Sequence, residues 1–126
     1  MRHLVALFLL AVSQPVTGAA LAKTVDLELV LAVDASGSVD DREYALQLDG
    51  IAQGFRDAAV RRAIRSGPMK SIAVNLLVWA EPQTPKDITG WFVITSDAEA
   101  ESFAATVETF PRRQTGSTAI GEGIAA

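Results

Sequence analysis

The sequence predicts an α/β fold, in which an open sheet carries helices packed on its faces. Three observations predict it. Apolar runs of strand length, at 25–33, 71–80 and 88–95, are separated by segments whose apolar residues recur at helical spacing. Turn-forming clusters such as Ser66-Gly67-Pro68 and the prolines of "EPQTP" punctuate these runs. Strands alternating with helices build layered sheets, and 126 residues support one domain.

Residues 1–22 stand apart from this pattern. Met1-Arg2-His3 is a short basic start, 4–12 is apolar, and Ala20-Leu21-Ala22 has the small-x-small form of a cleavage site. This is the plan of a secretory signal peptide, with an apolar core short for a membrane span; the alternative is an N-terminal core helix. Export to the periplasm or the extracellular space is expected, with the domain occupying 23–126. The leader takes one of the 11 basic residues and none of the 15 acidic ones, leaving a net charge of −5. That acidity argues against nucleic acid as a partner, because phosphates need a basic face. No later apolar run is long enough for a membrane span.

"VDLELVLAV", 25–33, begins with alternation and becomes continuously apolar, so it is expected near the middle of a sheet covered on both faces. Asp40 and Glu43 have capping-box spacing, and Tyr44, Leu48, Ile51 and Phe55 form the inward stripe of a helix. A shorter helix is expected over 58–64. Arg56, Arg61, Arg62 and Arg65 at helical spacing read as a solvated face rather than a phosphate site. "SIAVNLLVWA", 71–80, is a second strand, and 88–95 a third, nearer an edge because Gly90 weakens it. Trp79 and Trp91 lie in these strands and are expected in the core, while Glu81 and Asp87 flank a turn and are expected to be solvated. Ser96 or Asp97 caps a helix to about residue 109, with Phe103, Val107 and Phe110 inward. "PRRQTGS" is a loop, and a further helix begins at Thr118.

The single His, His3, lies in the leader, and there is no Cys. The exported part therefore cannot assemble a Ser-His-Asp or Cys-His catalytic group, nor a His- or Cys-ligated zinc or haem site. Any metal would be a hard cation held by oxygen. Asp34-Ala35-Ser36-Gly37-Ser38 follows the first strand directly, at the end of the sheet where open α/β folds bind ligands. Alternate residues of an extended segment point the same way, so the Asp34 carboxylate and the Ser36 and Ser38 hydroxyls can converge as hard ligands. Gly37 lets the loop bend. A polar strand-end turn uses the same residue types.

The D-x-S-x-S pattern of Asp34, Ser36 and Ser38 after an apolar strand resembles the metal-ion-dependent adhesion site of von Willebrand factor type A domains. Gly116-Ser117-Thr118-Ala119-Ile120-Gly121 is similar to that family's Thr-bearing loop, with Thr118 at the matching position. The phrases "DASGSVDDREY" and "GSTAIGEGIA" also resemble a bacterial group of exported type A-like proteins of unassigned function. The resemblance implies a doubly wound, mostly parallel sheet with helices on both faces and one short antiparallel edge strand. It implies that Asp34, Ser36, Ser38 and Thr118 hold Mg²⁺ or Mn²⁺. A partner protein's Asp or Glu carboxylate would fill the open coordination position. The family has one more metal-site Asp, after a later strand that this sequence does not reach. With "AIGEGIAA" stopping inside a forming helix, the chain is expected to hold only the N-terminal part of such a domain. Asp97 follows the wrong strand to replace that Asp and reads as a helix cap.

The expected function is thus a non-enzymatic, metal-dependent binding module. The alternative is a metal-assisted phosphoryl-transfer or phosphatase-type enzyme with Asp34 as nucleophile. That chemistry needs a second nearby carboxylate and a Lys at a neighbouring strand end. Lys23, Lys70 and Lys86 all stand at strand starts, which reads as the wrong end of the sheet. No glycine-rich nucleotide-binding pattern follows a strand.

Overall fold

The structure, a computed structural model, describes residues 23–113 and residue 124. Four strands and three helices follow in the order β1 (Leu27–Asp34), α1 (Asp41–Arg56), α2 (Ala58–Ile64), β2 (Ile72–Trp79), β3 (Asp87–Ile88), β4 (Phe92–Ile94) and α3 (Asp97–Glu108). The architecture is mixed α/β, as the alternating pattern predicts. The expected leader at 1–22 and the Thr118 loop lie outside the described residues.

β1 and β2 pair in parallel, from Leu27 opposite Ile72 to Asp34 opposite Trp79. β3 and β4 both run antiparallel to β2 along its other edge, with Val78 opposite Asp87 and Val74 opposite Phe92. The single strand expected over 88–95 is therefore an edge strand broken in two. Gly90, at φ +80°, makes the break in a conformation that side-chain-bearing residues avoid. Thr89 bridges it: its amide donates to Leu76 O (3.0 Å) and its hydroxyl accepts from Leu76 N (3.0 Å). That restores the ladder bonds the break would otherwise leave unmade.

All eight residues of β2 are buried, as a central strand requires. β1 corrects the expectation that it is covered on both faces. Val33 is buried and Leu29 and Leu31 pack on the core, but Glu28, Val30 and Ala32 on the opposite face are exposed. Among the described residues no strand pairs with the free edge of β1. Its apolar composition alone could not reveal that, among the described residues, it pairs on one side only.

One core joins the helices to the sheet. Tyr44, Leu48, Ala52 and Phe55 of α1 meet Phe103, Ala104 and Val107 of α3 over Val33, Val74, Leu76, Val78 and Ile94. Phe103 lies between Phe55 and Phe92, edge to face with each at centroid distances of 4.7 and 5.2 Å. The helix ends follow the sequence closely. Asp40 caps α1 by accepting from Glu43 N (2.8 Å) while Glu43 accepts from Asp40 N (2.8 Å), and Ser96 caps α3.

The arginine face is not simply solvated. Arg56 pairs with Glu101 and Glu108, Arg61 with Glu101, and Arg65 with Asp97, so three of the four tie α1 and α2 to α3. Arg56 consequently has its pKa raised by hydrogen bonds from its guanidinium to Glu108 and Glu101. Trp79 is buried, whereas Trp91 is 53% exposed. The break after β3 places Trp91 outside the ladder, which corrects its expected core position.

Candidate metal centre

β1 ends at Asp34, and the ladder runs one step further as Ala35 N donates to Trp79 O (2.9 Å). The chain then turns. Val39 N donates to Ser36 O (2.9 Å), closing a four-residue turn over Ser36-Gly37-Ser38-Val39, and Asp40 starts α1. The D-x-S-x-S segment thus sits in a short bend between the carboxyl end of β1 and the amino end of α1.

Asp34 Oδ1 accepts from Ser36 N at 2.8 Å, which orients the carboxylate against the loop. Ser36 is 1% exposed, and its Oγ lies 3.4 Å from Ser38 Oγ. Adjacent oxygens around an octahedral cation with bonds of ~2.1 Å are about 3 Å apart, so this pair is close to ligand spacing. The donor set of one carboxylate and two hydroxyls has the hardness that Mg²⁺ or Mn²⁺ requires. Asp34, Ser36 and Ser38 lie in one bend, with the Asp34 carboxylate on Ser36 N and the Ser36 hydroxyl beside that of Ser38, and Thr118 lies outside the described residues. Among the described residues no three His, Cys, Asp or Glu side chains group as metal ligands.

Two side chains that the sequence did not single out hold this loop. Gln47, in the second turn of α1, donates from Nε2 to Asp34 O (3.1 Å). Arg112, beyond α3, directs Nη2 at Ala35 O (3.2 Å), Ser36 O (3.2 Å) and Val39 O, while Nη1 pairs with Asp41 (2.7 Å). The guanidinium also lies over the Tyr44 ring, 5.6 Å from its centroid. Burial raises the Tyr44 pKa; the Asp87 charge raises it further and Arg112 opposes. The only sequence signal for Arg112 is the Arg-Arg pair in "PRRQTGS", and nothing in its spacing says what it reaches.

Lys86 corrects the argument about the lysines. β3 is antiparallel, so its start lies at the carboxyl end of β2, on the candidate site's side of the sheet. Asp87 is there too, half-buried rather than solvated, with Arg113 at 3.8 Å. Two strand spacings separate β3 from β1, so Asp87 stands about 10 Å across the sheet from Asp34. Asp97 is the first residue of α3 and pairs with Arg65, in keeping with a helix-end role. A groove of about 270 Å³ lined by Leu27, Leu29, Phe55 and Val60 lies at the opposite end of β1 and is separate from this site.

Among the described residues no helix is long and apolar enough to cross a membrane. No curated protein and no solved structure matches the chain. A family match covers residues 24–126, running from the first residues before β1 past Thr118. On that match, the chain belongs to the family described as "Protein of unknown function (DUF1194)".

Proposed function

We propose that this protein is an exported, metal-dependent protein-binding module of the von Willebrand factor type A kind. The observation that carries the reading is the loop after β1, where the Ser36 and Ser38 hydroxyls lie 3.4 Å apart beside a carboxylate oriented by the loop's own amide. Asp34, Ser36 and Ser38 would hold the cation, with Thr118 as a further oxygen donor. Bound there, Mg²⁺ or Mn²⁺ would supply an open coordination position for an Asp or Glu carboxylate of a partner protein. The chain's own part is to present oriented oxygens at the rim of the sheet, where a partner can reach them. Ser38 and Gly37 are exposed, which suits such access.

The reading extends to the whole fold as a doubly wound, mostly parallel sheet with helices on both faces. Parallel pairing of β1 with β2 and the antiparallel edge formed by β3 and β4 support it. Residues 1–22 as a cleaved leader complete the proposal.

A phosphoryl-transfer enzyme with Asp34 as nucleophile is the second reading, favoured by Lys86 and Asp87 at the same end of the sheet. The backbones of Asp34 and Asp87 stand about 10 Å apart across the sheet. Titrating Mn²⁺ into the full chain tests the first reading. Asp34→Asn keeps the acceptor for Ser36 N but removes the charge, so it should bind Mn²⁺ at least about tenfold more weakly, with its metal-free melting temperature little changed. Equal affinity in the variant would remove Asp34 from the site. Hydrolysis of p-nitrophenyl phosphate that is lost in Asp34→Asn would favour the enzyme instead.

A further inference from the structure

We propose that Arg112 is a positioning residue for the candidate metal site, fixing the loop that carries the oxygen donors. The proposal rests on the metal-binding reading above. A loop that leaves a sheet must find partners for carbonyls the ladder no longer satisfies. Here the carbonyls of Ala35, Ser36 and Val39 turn to one Nη2 group, that of Ser36 while also accepting from Val39 N. The donor residues 34, 36 and 38 are interleaved with these anchor points. The Arg112 side chain is 16% exposed and is itself held from two further directions, by Asp41 at Nη1 and by the Tyr44 ring.

A planar guanidinium sets five donors in a rigid fork, where an ammonium on a flexible stem offers three about a single atom. With it in place, the turn is clamped between α1 and the segment that follows α3. Without it, the loop loses the group that ties these three carbonyls to the segment after α3, and keeps local bonds such as Val39 N to Ser36 O, Ser36 N to Asp34 Oδ1 and Gln47 to Asp34 O. The consequence for a cation has a telling sign. A positive charge beside a cation site repels the cation, so by charge alone removing Arg112 would tighten binding. Loss of positioning weakens it, as removal of supporting groups around metal sites does.

The test is Mn²⁺ titration of the full chain, wild type against Arg112→Ala and Arg112→Lys, with metal-free melting temperatures measured alongside. The expected result is that wild type binds and Arg112→Ala loses about tenfold or more in affinity. Arg112→Lys, which keeps the charge and can keep the Asp41 pair, should recover melting temperature but not affinity. Wild-type affinity or tighter in Arg112→Ala would overturn the proposal while leaving the metal site standing. So would wild-type affinity in Arg112→Lys, which also decides the matter if Arg112→Ala fails to fold. Absence of Mn²⁺ binding by the wild type would overturn the metal reading itself, and this inference with it.

Discussion

Phe103→Ala is the sharpest test of the packing that supports the site. Phe103 is 0% exposed and contacts Phe55 of α1 and Phe92 of β4 edge to face, so it joins α3 to both a helix and the sheet edge. Removing a buried phenyl ring costs about 3–5 kcal/mol, counting lost transfer energy and the cavity left behind. Two ring contacts disappear together, which keeps this site off the bottom of that range, at about 4 kcal/mol. Against a typical total of about 5–15 kcal/mol, that is a large share. At about 4–8 °C per kcal/mol, the melting temperature should fall by roughly 20 °C. Urea unfolding followed by circular dichroism reads the free energy directly. Phe103→Leu, which keeps most of the volume, should cost about 1–2 kcal/mol. A loss below about 1 kcal/mol in Phe103→Ala would refute the packing of α3 against α1 and β4.

Two further outcomes follow from contacts elsewhere. A Cβ on Gly67 would overlap the Asp26 carboxylate, which accepts from Met69 N (3.0 Å) and Ser71 N (3.3 Å) before β2. Gly67→Ala should therefore cost about 1–3 kcal/mol, and less when Asp26 is also Ala, because the overlap is then gone; a double-mutant cycle measures this. Glu108 and Glu101 have pKa values lowered from 4.5 by hydrogen bonds from Arg56, and Glu99 by the Thr95 hydroxyl. Their stabilisation is present above about pH 4.5, where the unfolded carboxylates ionise, and is lost as pH falls through the lower folded values. Arg56→Gln should flatten the acid limb of stability between pH 5 and 3, and an unchanged limb would show that these pairs contribute nothing.

The local part of this molecule was legible because its causes are local. The Asp40–Glu43 capping box, the Tyr44–Leu48–Phe55 stripe, the Ser96 cap and α2 over Ala58–Ile64 depend on residues within a turn or two of one another. The grouping of Asp34, Ser36 and Ser38 was legible for the same reason, since five consecutive residues at a strand end need no distant partner to come together. Contiguous phrases likewise pointed to a group of unassigned function, and the match over 24–126 is to a family so described.

What the sequence by itself determined is therefore the α/β alternation, the helix caps and the placing of Asp34, Ser36 and Ser38 in one strand-end bend. Only the tertiary structure decided their neighbours. β1 is as apolar as a central strand, yet whether a strand is covered on one face or two depends on what pairs and packs beside it. The direction of β3 reversed the meaning of Lys86, because the start of an antiparallel strand lies at the far end of its neighbour. Trp91 left the core when Gly90 broke the edge. Arg112 reached the loop across 76 and 77 residues of sequence to Ser36 and Ala35. A guanidinium recognises carbonyl oxygens, which every residue carries, so its target is written in the chain's path through space and not in any motif.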